Sequence, residues 1–402
     1  MIIIQSLSLK LRIYPSVEDE EKFFQMSEQY RKACNFISEE YFNSNFTLTR
    51  RELHDKYYYL IREKFGLKAQ QAESVIRTVL AKYKSVETQM SNNPCRIYDK
   101  YNNEVFYYYK TLEHLQKPVS FKSLQSDLVY NKDFRLNKNG LVITTLDKLV
   151  SVKYDISYFE KYLTEEWKIG TAKLVYKPYN KSWYLHISVT KEIEELENDK
   201  IYNIVGIDLG VINTAVTYDN EGKSLFFNGK KNREMRKHYI ETRKELQSKN
   251  TKSSKKRLKA INNRENRWMS DINHKITKAL VDYYGPNTLF VLEDLESISK
   301  DLNYSKKQNT ELNSWAFYQF IEFLKYKANL NDSKVIVVDA HYTSQRCPKC
   351  GAIHKENRNR ETHSYHCSNC GYTSNDDRIG AMNLYELGKQ YVSGIEKPKF
   401  SK

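Results

Sequence analysis

The chain has 402 residues, enough for two or three domains each with its own core. Its 65 Lys and Arg outweigh 50 Asp and Glu, a formal charge of +15 that points to a polyanionic partner through counterion displacement. No apolar run reaches about 18 residues, and the opening MIIIQSLSLKLRIYP lacks a basic region before a cleavage site, so a soluble, intracellular protein is expected.

Residues 2–14 alternate apolar and polar up to Pro15 and read as a strand. From about 17 to 115 the pattern is helical, opening at Ser16 before acidic residues. A helix is expected over Gln70–Lys84, where Ala72, Val75, Ile76, Val79 and Leu80 repeat at helical spacing. From Pro118 to about 192 short β-rich runs follow, among them GLVITT, GTAKLVY and SWYLHISVT. The acidic KEIEELENDK reads as a linker or a connecting helix. Beyond it come the strands YNIVGIDLGVINTAVTYD and KSLFFNG, and a basic helical region at about 230–284. The strand TLFVLEDL, an amphipathic helix at 311–330, the strand KVIVVDAHY, a cysteine module and a helix at about 377–390 complete the chain. The second half thus runs β-β-β-α-β-α-β-α, the element order of an RNase H-like domain, within an α+β and α/β multidomain chain.

Three acidic residues fall at the ends of buried elements in that half. Asp208 ends VGID, Glu293 ends LFVLE, and Asp377 opens the last helix. A carboxylate in such a strand is costly unless it is paired or holds a metal. Gly206 and Gly210 leave room beside Asp208 for a backbone or ligand. Phosphodiester hydrolysis with two divalent ions about 4 Å apart needs acidic oxygen ligands, one bridging both, and Asp208 on the central strand is the candidate bridge. Mg²⁺ suits carboxylate and water ligands, with Mn²⁺ as a substitute. Each acid alone could equally be a cap or a salt-bridge partner, and Asp294 and Asp376 compete with their neighbours.

Cys347, Cys350, Cys367 and Cys370 form two Cys-x-x-Cys-Gly knuckles about 16 residues apart, the spacing of a zinc ribbon. Four thiolates fill the tetrahedral shell of one Zn²⁺, which is therefore structural. Redox or disulfide pairing is the other reading. His354, His363 and His366 read as surface or nucleic-acid contacts, and Cys34 and Cys95 as small packed side chains.

Between Lys230 and Arg267, fifteen basic residues face four acidic ones. Lys230, Lys231, Arg233, Arg236, Lys255, Lys256, Arg257, Arg264 and Arg267 are candidate phosphate contacts, joined by Arg346 and Arg378. A solvated helical face is the alternative. The 32 tyrosines fit either base stacking or an ordinary Tyr-rich surface.

GIDLGVINTAV, FVLEDL, YTSQRCPKCG, CSNCGYTSNDD and GAMNL, in this order, resemble the TnpB proteins of bacterial insertion sequences. Miniature type V CRISPR effectors are closely similar. LKLRIYPSVEDEEKF and YRKACNFISE also resemble the start of such chains, so the likeness spans nearly the whole sequence and is strongest from 202 to 386. It implies a β-barrel wedge domain at 1–15 and 118–192 with a helical recognition lobe inserted at 16–117. After a linker at 193–200, it implies a RuvC nuclease domain at 201–342 and 375–402, interrupted by a zinc-ribbon target-nucleic-acid-binding module at 343–374. The implied catalytic and magnesium-binding set is Asp208, Glu293 and Asp377. The implied partners are a guide RNA and double-stranded target DNA read beside a short flanking motif, with Gln70, Gln71, Ser74 and Lys122 as candidate readers. A monomeric cytoplasmic protein, bacterial or phage-encoded and associated with the nucleoid, is expected rather than a homodimer or a membrane protein.

Where many relatives carry Asn-Ala-Asp-x-Asn-Ala-Ala, this chain has Asn375, Asp376, Asp377, Arg378, Ile379, Gly380 and Ala381. Ile379 in place of an amide puts hydrogen bonding around the site in doubt, and Arg378 is a candidate to take over a phosphate contact. RNA-guided DNA cleavage is the leading expectation. RNA-guided binding without cleavage and a DNA-joining transposase are the alternatives.

Overall fold

A computed structural model of the chain describes residues 1–99, 101–137, 140–155, 159–261, 264–294, 317–339, 341–359 and 361–400. They form two compact units, residues 4–191 and a second comprising 192–402 with 1–3.

In the first unit β1 (Ile2–Tyr14) leads into α1 (Val17–Asn43), α2 (Arg50–Phe65) and α3 (Ala69–Asn92). Ser16 caps α1 as expected, accepting the Asp19 amide at 3.1 Å. Thr49 and Glu52 form a capping box on α2, which ends at left-handed Gly66. The three helices share a core that includes Tyr30, Ile37, Leu53, Ile61, Val75 and Val79. The helix α3 outruns the expected Gln70–Lys84 by two turns.

The helical reading of about 17 to 115 is corrected over 95–108. Here β2 (Cys95–Asp99) and β3 (Glu104–Tyr108) form an antiparallel hairpin, turned at Asn103 with a positive φ. The run EVFYY favours a pleated strand over a helix, because aromatic and β-branched side chains lose rotamer freedom on a helix.

β4 (Gln125–Val129), β5 (Phe134–Asn137), β6 (Gly140–Thr144), β7 (Leu149–Tyr154), β8 (Lys168–Lys177) and β9 (Ser182–Glu194) join β1 in a seven-stranded sheet. Its order is β4-β8-β9-β1-β7-β6-β5. The two end strands, β4 and β5, are neighbours in sequence and bridged at Tyr130 and Phe134, so the sheet curls to bring its ends together. Phe23 and Phe24 of α1 pack on Trp183 of β9 with ring centroids 5.6 and 5.1 Å away. The acidic stretch at 191–200 is neither linker nor helix at its start. β9 runs on to Glu194, and only Asn198–Lys200 make a short 3-10 turn.

The second unit contains β10 (Asn203–Asp208), β11 (Asn213–Tyr218), β12 (Phe226–Asn228), α4 (Lys230–Lys249), α5 (Lys252–Ile261) and α6 (Arg264–Tyr284). It continues with β13 (Thr288–Glu293), α7 (Phe317–Asn329), β14 (Lys334–Val338), β15 (Arg358–Asn359), β16 (Ser364–His366), β17 (Thr373–Asn375) and α8 (Asp376–Val392). The main sheet has the order β12-β11-β10-β13-β14, with β10, β13 and β14 parallel and β11 and β12 antiparallel. The helix expected at 311–330 is present as α7; residues 311–316 lie outside the described residues. One face of the sheet packs on α6 and α7 and the other on α8. No helix among the described residues is long and apolar enough to cross a membrane.

Candidate active site

Strand alternation places the acids. Along β10, Val205 and Ile207 join the core with α6 and α7, while Ile204 and Gly206 face α8. Along β13, Phe290 and Leu292 face α6 and α7, while Leu289 and Val291 face α8. With a period of two, Asp208 and Glu293 both fall on the α8 face. Ile207 pairs with Leu292 in parallel register, so the two acids end adjacent strands. α8 delivers Asp377 in its first turn, where Asn375 accepts the amides of Asp377 and Arg378, each at 3.1 Å.

The helix backbone lies directly on β10. A Cβ at Gly206 would come within 2.1 Å of the Ala381 carbonyl oxygen, and one at Gly380 within 2.8 Å of the Asp208 carboxyl carbon. The room expected beside Asp208 is therefore filled by α8.

Asp208 keeps some exposed surface, yet its carboxyl is enclosed by protein and makes no hydrogen bond or ion pair with a described residue. Burial, then Glu293, then Asp377 push it well above the usual carboxylate range. Glu293 is raised by burial, against the pull of the Thr343 hydroxyl that donates to it and of the Arg358 charge. Asp377 is raised by burial, while the Asn213 amide donating to Oδ2 at 2.8 Å opposes the shift. Asp376 is committed elsewhere. Its Oδ2 accepts Arg358 Nε at 2.9 Å and its Oδ1 lies 3.4 Å from His363 Nδ1, which takes His363 away from the surface role expected of it.

Among the described residues, oxygens of Asp208, Glu293 and Asp377 do not gather within 4.8 Å of one another; the clusters that tight are His363, Asp376 and Asp377, and the four cysteines. The unpartnered Asp208 and the mutual repulsion of three enclosed acids nonetheless make a donor set that fits hard divalent cations.

The cysteines do converge. Cys347 and Cys370 sulfurs are 3.6 Å apart, as are those of Cys350 and Cys367. Four thiolates about 2.3 Å from a tetrahedral zinc stand about 3.8 Å apart, so the set fits that ion, whereas a disulfide needs about 2.05 Å. Ile379 is fully buried with Cys347, Tyr365 and Cys367. It serves the core of the module, so its apolar character takes no hydrogen bond from the acids.

Of the basic candidates, Lys230, Lys231, Arg233, Lys255, Lys256, Arg257, Arg264 and Arg267 are exposed. Three are placed differently from this exposed set. Arg236 is buried and, with Arg243, holds the buried Glu265. Arg378 is half-buried, donating to Ser224 Oγ at 3.1 Å and the Gly222 carbonyl at 3.3 Å above the Tyr218 ring. Arg346 donates to Asn383 Oδ1 at 3.1 Å and covers Phe400. Burial keeps Arg236 from phosphate, and Arg378 has Nε, Nη1 and Nη2 each on a protein acceptor.

Gln71 and Ser74 are also corrected as readers. Gln71 is fully buried, its amide donating to the Thr144 carbonyl at 3.3 Å, and Ser74 donates to the Gln71 carbonyl at 2.9 Å. Gln70 is half-buried and Lys122 exposed. Beside them a cleft of about 410 Å³ is lined by Ser74, Arg77, Thr78, Lys82, Gln125 and Lys173, among others. Arg77 Nε is buried there without a hydrogen-bond partner. The sequence reading missed Asn213, Thr343 and Arg358. The first two stand inside motifs it singled out, but nothing local marks Arg358.

Sheet, acids and thiolate module define a mixed α/β protein with a carboxylate cluster beside a four-cysteine module that fits a zinc ion. Residues 186–308 match the family model OrfB_IS605, described as "Probable transposase", and residues 317–384 match the Cas12f1-like TNB domain. The chain is 28% identical over 271 residues to TnpB-like protein MJ0751 of Methanocaldococcus jannaschii, covering 65% of this chain and 94% of that one. It is 28% identical over 248 residues to the CRISPR-associated endodeoxyribonuclease Cas12f1 of Sulfoacidibacillus thermotolerans, covering 56% of this chain but only 55% of that one. A cryo-EM structure of a Cas12f1–sgRNA–target DNA complex superposes with a TM-score of 0.59 at 14% identity, over 96% of this chain and 99% of the other, a likeness of fold. The resemblance to the TnpB family read from the motifs is shown by these matches.

Proposed function

We propose that the chain is an RNA-guided DNA endonuclease that hydrolyses phosphodiesters at the Asp208–Glu293–Asp377 centre, next to a short flanking motif. The observation that carries this reading is the placement of three enclosed acids on one face of the sheet, at the ends of β10 and β13 and the start of α8, with Asp208 without a hydrogen bond or ion pair among the described residues. Guided DNA cleavage is what the name of the Cas12f1 relative and the RNA and DNA of the superposed complex suggest for this chain.

Divalent ions held by the three acids would supply positive charge at the scissile phosphate and an acidified water. Asp208, Glu293 and Asp377 would be the ligands of those ions. Asn213 and Thr343 orient Asp377 and Glu293, and Arg358 neutralises Asp376 so that it does not compete with Asp377. The exposed cations of α4, α5 and the start of α6 would track phosphates. In this reading residues 1–15 and 118–192 are the wedge, 16–117 the recognition lobe, and 201–402 the RuvC domain with its zinc module. The flanking motif would be read from Gln70, Lys122 and the cleft at Arg77 and Lys82.

With guide RNA and Mg²⁺ the protein should make double-strand cuts bearing 5′-phosphates, and Asp208→Ala should abolish them. Undiminished cutting by Asp208→Ala sinks the mechanism. The "Probable transposase" description of residues 186–308 favours a second reading, a DNA-joining enzyme using the same acids. Joined rather than cleaved products would identify it, and guide-dependent binding with no cleavage in Mg²⁺ or Mn²⁺ would identify a binding protein.

A further inference from the structure

The hairpin β2–β3 is an anomaly of the first unit. An isolated two-stranded hairpin is at best marginally stable in water. Apart from Tyr108 against His114, neither strand packs to any extent on another element among the described residues. The segment also carries a concentration of exposed large apolar side chains: Ile97, Tyr98, Val105, Phe106, Tyr107 and Tyr108, with Tyr101 and Tyr109 just beyond. A patch of this kind marks a surface that binds something.

Register tells what each face offers. Arg96 stands opposite Tyr107, and Tyr98 opposite Val105, on one face; Ile97 opposite Phe106, and Cys95 opposite Tyr108, on the other. Tyr98 is 53% exposed and Tyr107 46% exposed. Arg96 shares its face with Tyr98 and Tyr107, while alternation puts the acids Asp99 and Glu104 on the opposite face, where Asp99 accepts the Tyr101 amide at 2.8 Å. The charge on the Tyr98–Tyr107 face is therefore cationic.

We infer that this Arg96–Tyr98–Tyr107 face is a stacking platform for unpaired RNA bases. Tyrosine rings and a guanidinium plane stack on any base, and the Arg96 charge meets the adjoining phosphates. A second copy of the chain would favour a face depleted of charge, which this one is not. Duplex DNA keeps its bases stacked on one another, whereas the loops of a folded RNA leave bases open to aromatic rings. The inference rests on the RNA-guided reading, and assigns to the hairpin a contact separate from the acidic centre.

The test uses the full chain and a labelled oligouridine of about twenty nucleotides, with oligothymidine and a blunt RNA duplex beside it. Tyr98→Ala with Tyr107→Ala should weaken oligouridine binding about tenfold or more, while Tyr98→Phe with Tyr107→Phe keeps it. Photocrosslinking of wild-type protein to 4-thiouridine RNA should label a peptide within 95–109, a readout that needs no variant. Unchanged affinity in the alanine variant with no crosslink in the hairpin overturns the inference. So does an equal loss with the blunt duplex, or conversion of a dimer to monomer with RNA affinity unaltered; a parallel loss with oligothymidine is expected of a platform that meets ring faces and not sugars. All arms read binding, so their failure is distinct from failure of the Asp208→Ala cleavage test.

Discussion

Arg358, on the first strand of the zinc-ribbon sheet, donates Nε to Asp376 Oδ2 at 2.9 Å, and its Nη2 lies 3.8 Å from Asp377 Oδ1. Asp376 is 1% exposed, so this guanidinium is the compensating charge for an enclosed carboxylate at the start of α8. Through it the thiolate module and the acidic centre are one electrostatic unit.

Removing one partner of such a pair is far more damaging than removing both. Arg358→Met should lower stability by about 3–5 kcal/mol, and Arg358→Met with Asp376→Asn should restore most of it. Denaturant unfolding of the three proteins checks this; equal stability of the single and double variants would contradict it.

The acids should show opposed effects on stability and activity. Their folded pKa values are raised above the unfolded values of about 4, so their contribution is fully favourable below that pH and is lost as pH rises through the folded values. Metal-free protein should therefore lose stability from about pH 4 upward at these sites. Asp208→Asn should raise its melting temperature near neutrality while abolishing cleavage. Mg²⁺ should raise the wild-type melting temperature more at pH 7.5 than at pH 5, and a pH-independent increment would argue against the assignment.

Asn213→Ala and Thr343→Val delete the hydrogen bonds that orient Asp377 and Glu293. Each should reduce cleavage about 10–100-fold without changing guide-dependent DNA binding. A gel shift run beside the cleavage assay separates the two.

Zinc removal should act at a distance. Cys347→Ser, or a strong chelator, should release the one zinc and loosen β15, taking Arg358 from Asp376. Metal analysis should read about one zinc per wild-type chain, and cleavage should fall with zinc content even in excess Mg²⁺.

Gly206→Ala meets backbone atoms, the Ala381 carbonyl oxygen at 2.1 Å and the Tyr385 nitrogen at 2.5 Å, which cannot rotate aside. A loss of about 3 kcal/mol is expected, measurable in a thermal melt; a neutral effect would mean α8 does not lie on β10 in this way.

Much of the centre was legible because its signals are local. Cys-x-x-Cys spacing needs no tertiary information, and an acid closing an apolar run stands out within six residues. The period of two along β10 and β13 also carries the side each acid takes, once the neighbouring apolar residues are assigned to cores. Other readings failed where identity and environment diverge. Arg236 lies in a basic helix whose charge suggests solvent, yet its face is turned to Glu265. Gln71 and Ser74 sit on α3 among apolar neighbours, and their polar groups are satisfied inward. The hairpin at 95–108 was hidden because a short aromatic run has no helical or strand period long enough to decide.

By itself, then, the sequence determined the acids, the thiolates, the excess positive charge and the order of the elements, since each depends on residue type and spacing along one strand or helix. Only the tertiary structure decided which acid of an adjacent pair is tied up in an ion pair. Asp376 and Asp377 are chemically alike, and they part company because Arg358, eighteen positions before Asp376, hydrogen-bonds Asp376 and lies farther from Asp377. Pairing across such a gap is set by three-dimensional packing and desolvation, which leave no periodic trace in the chain.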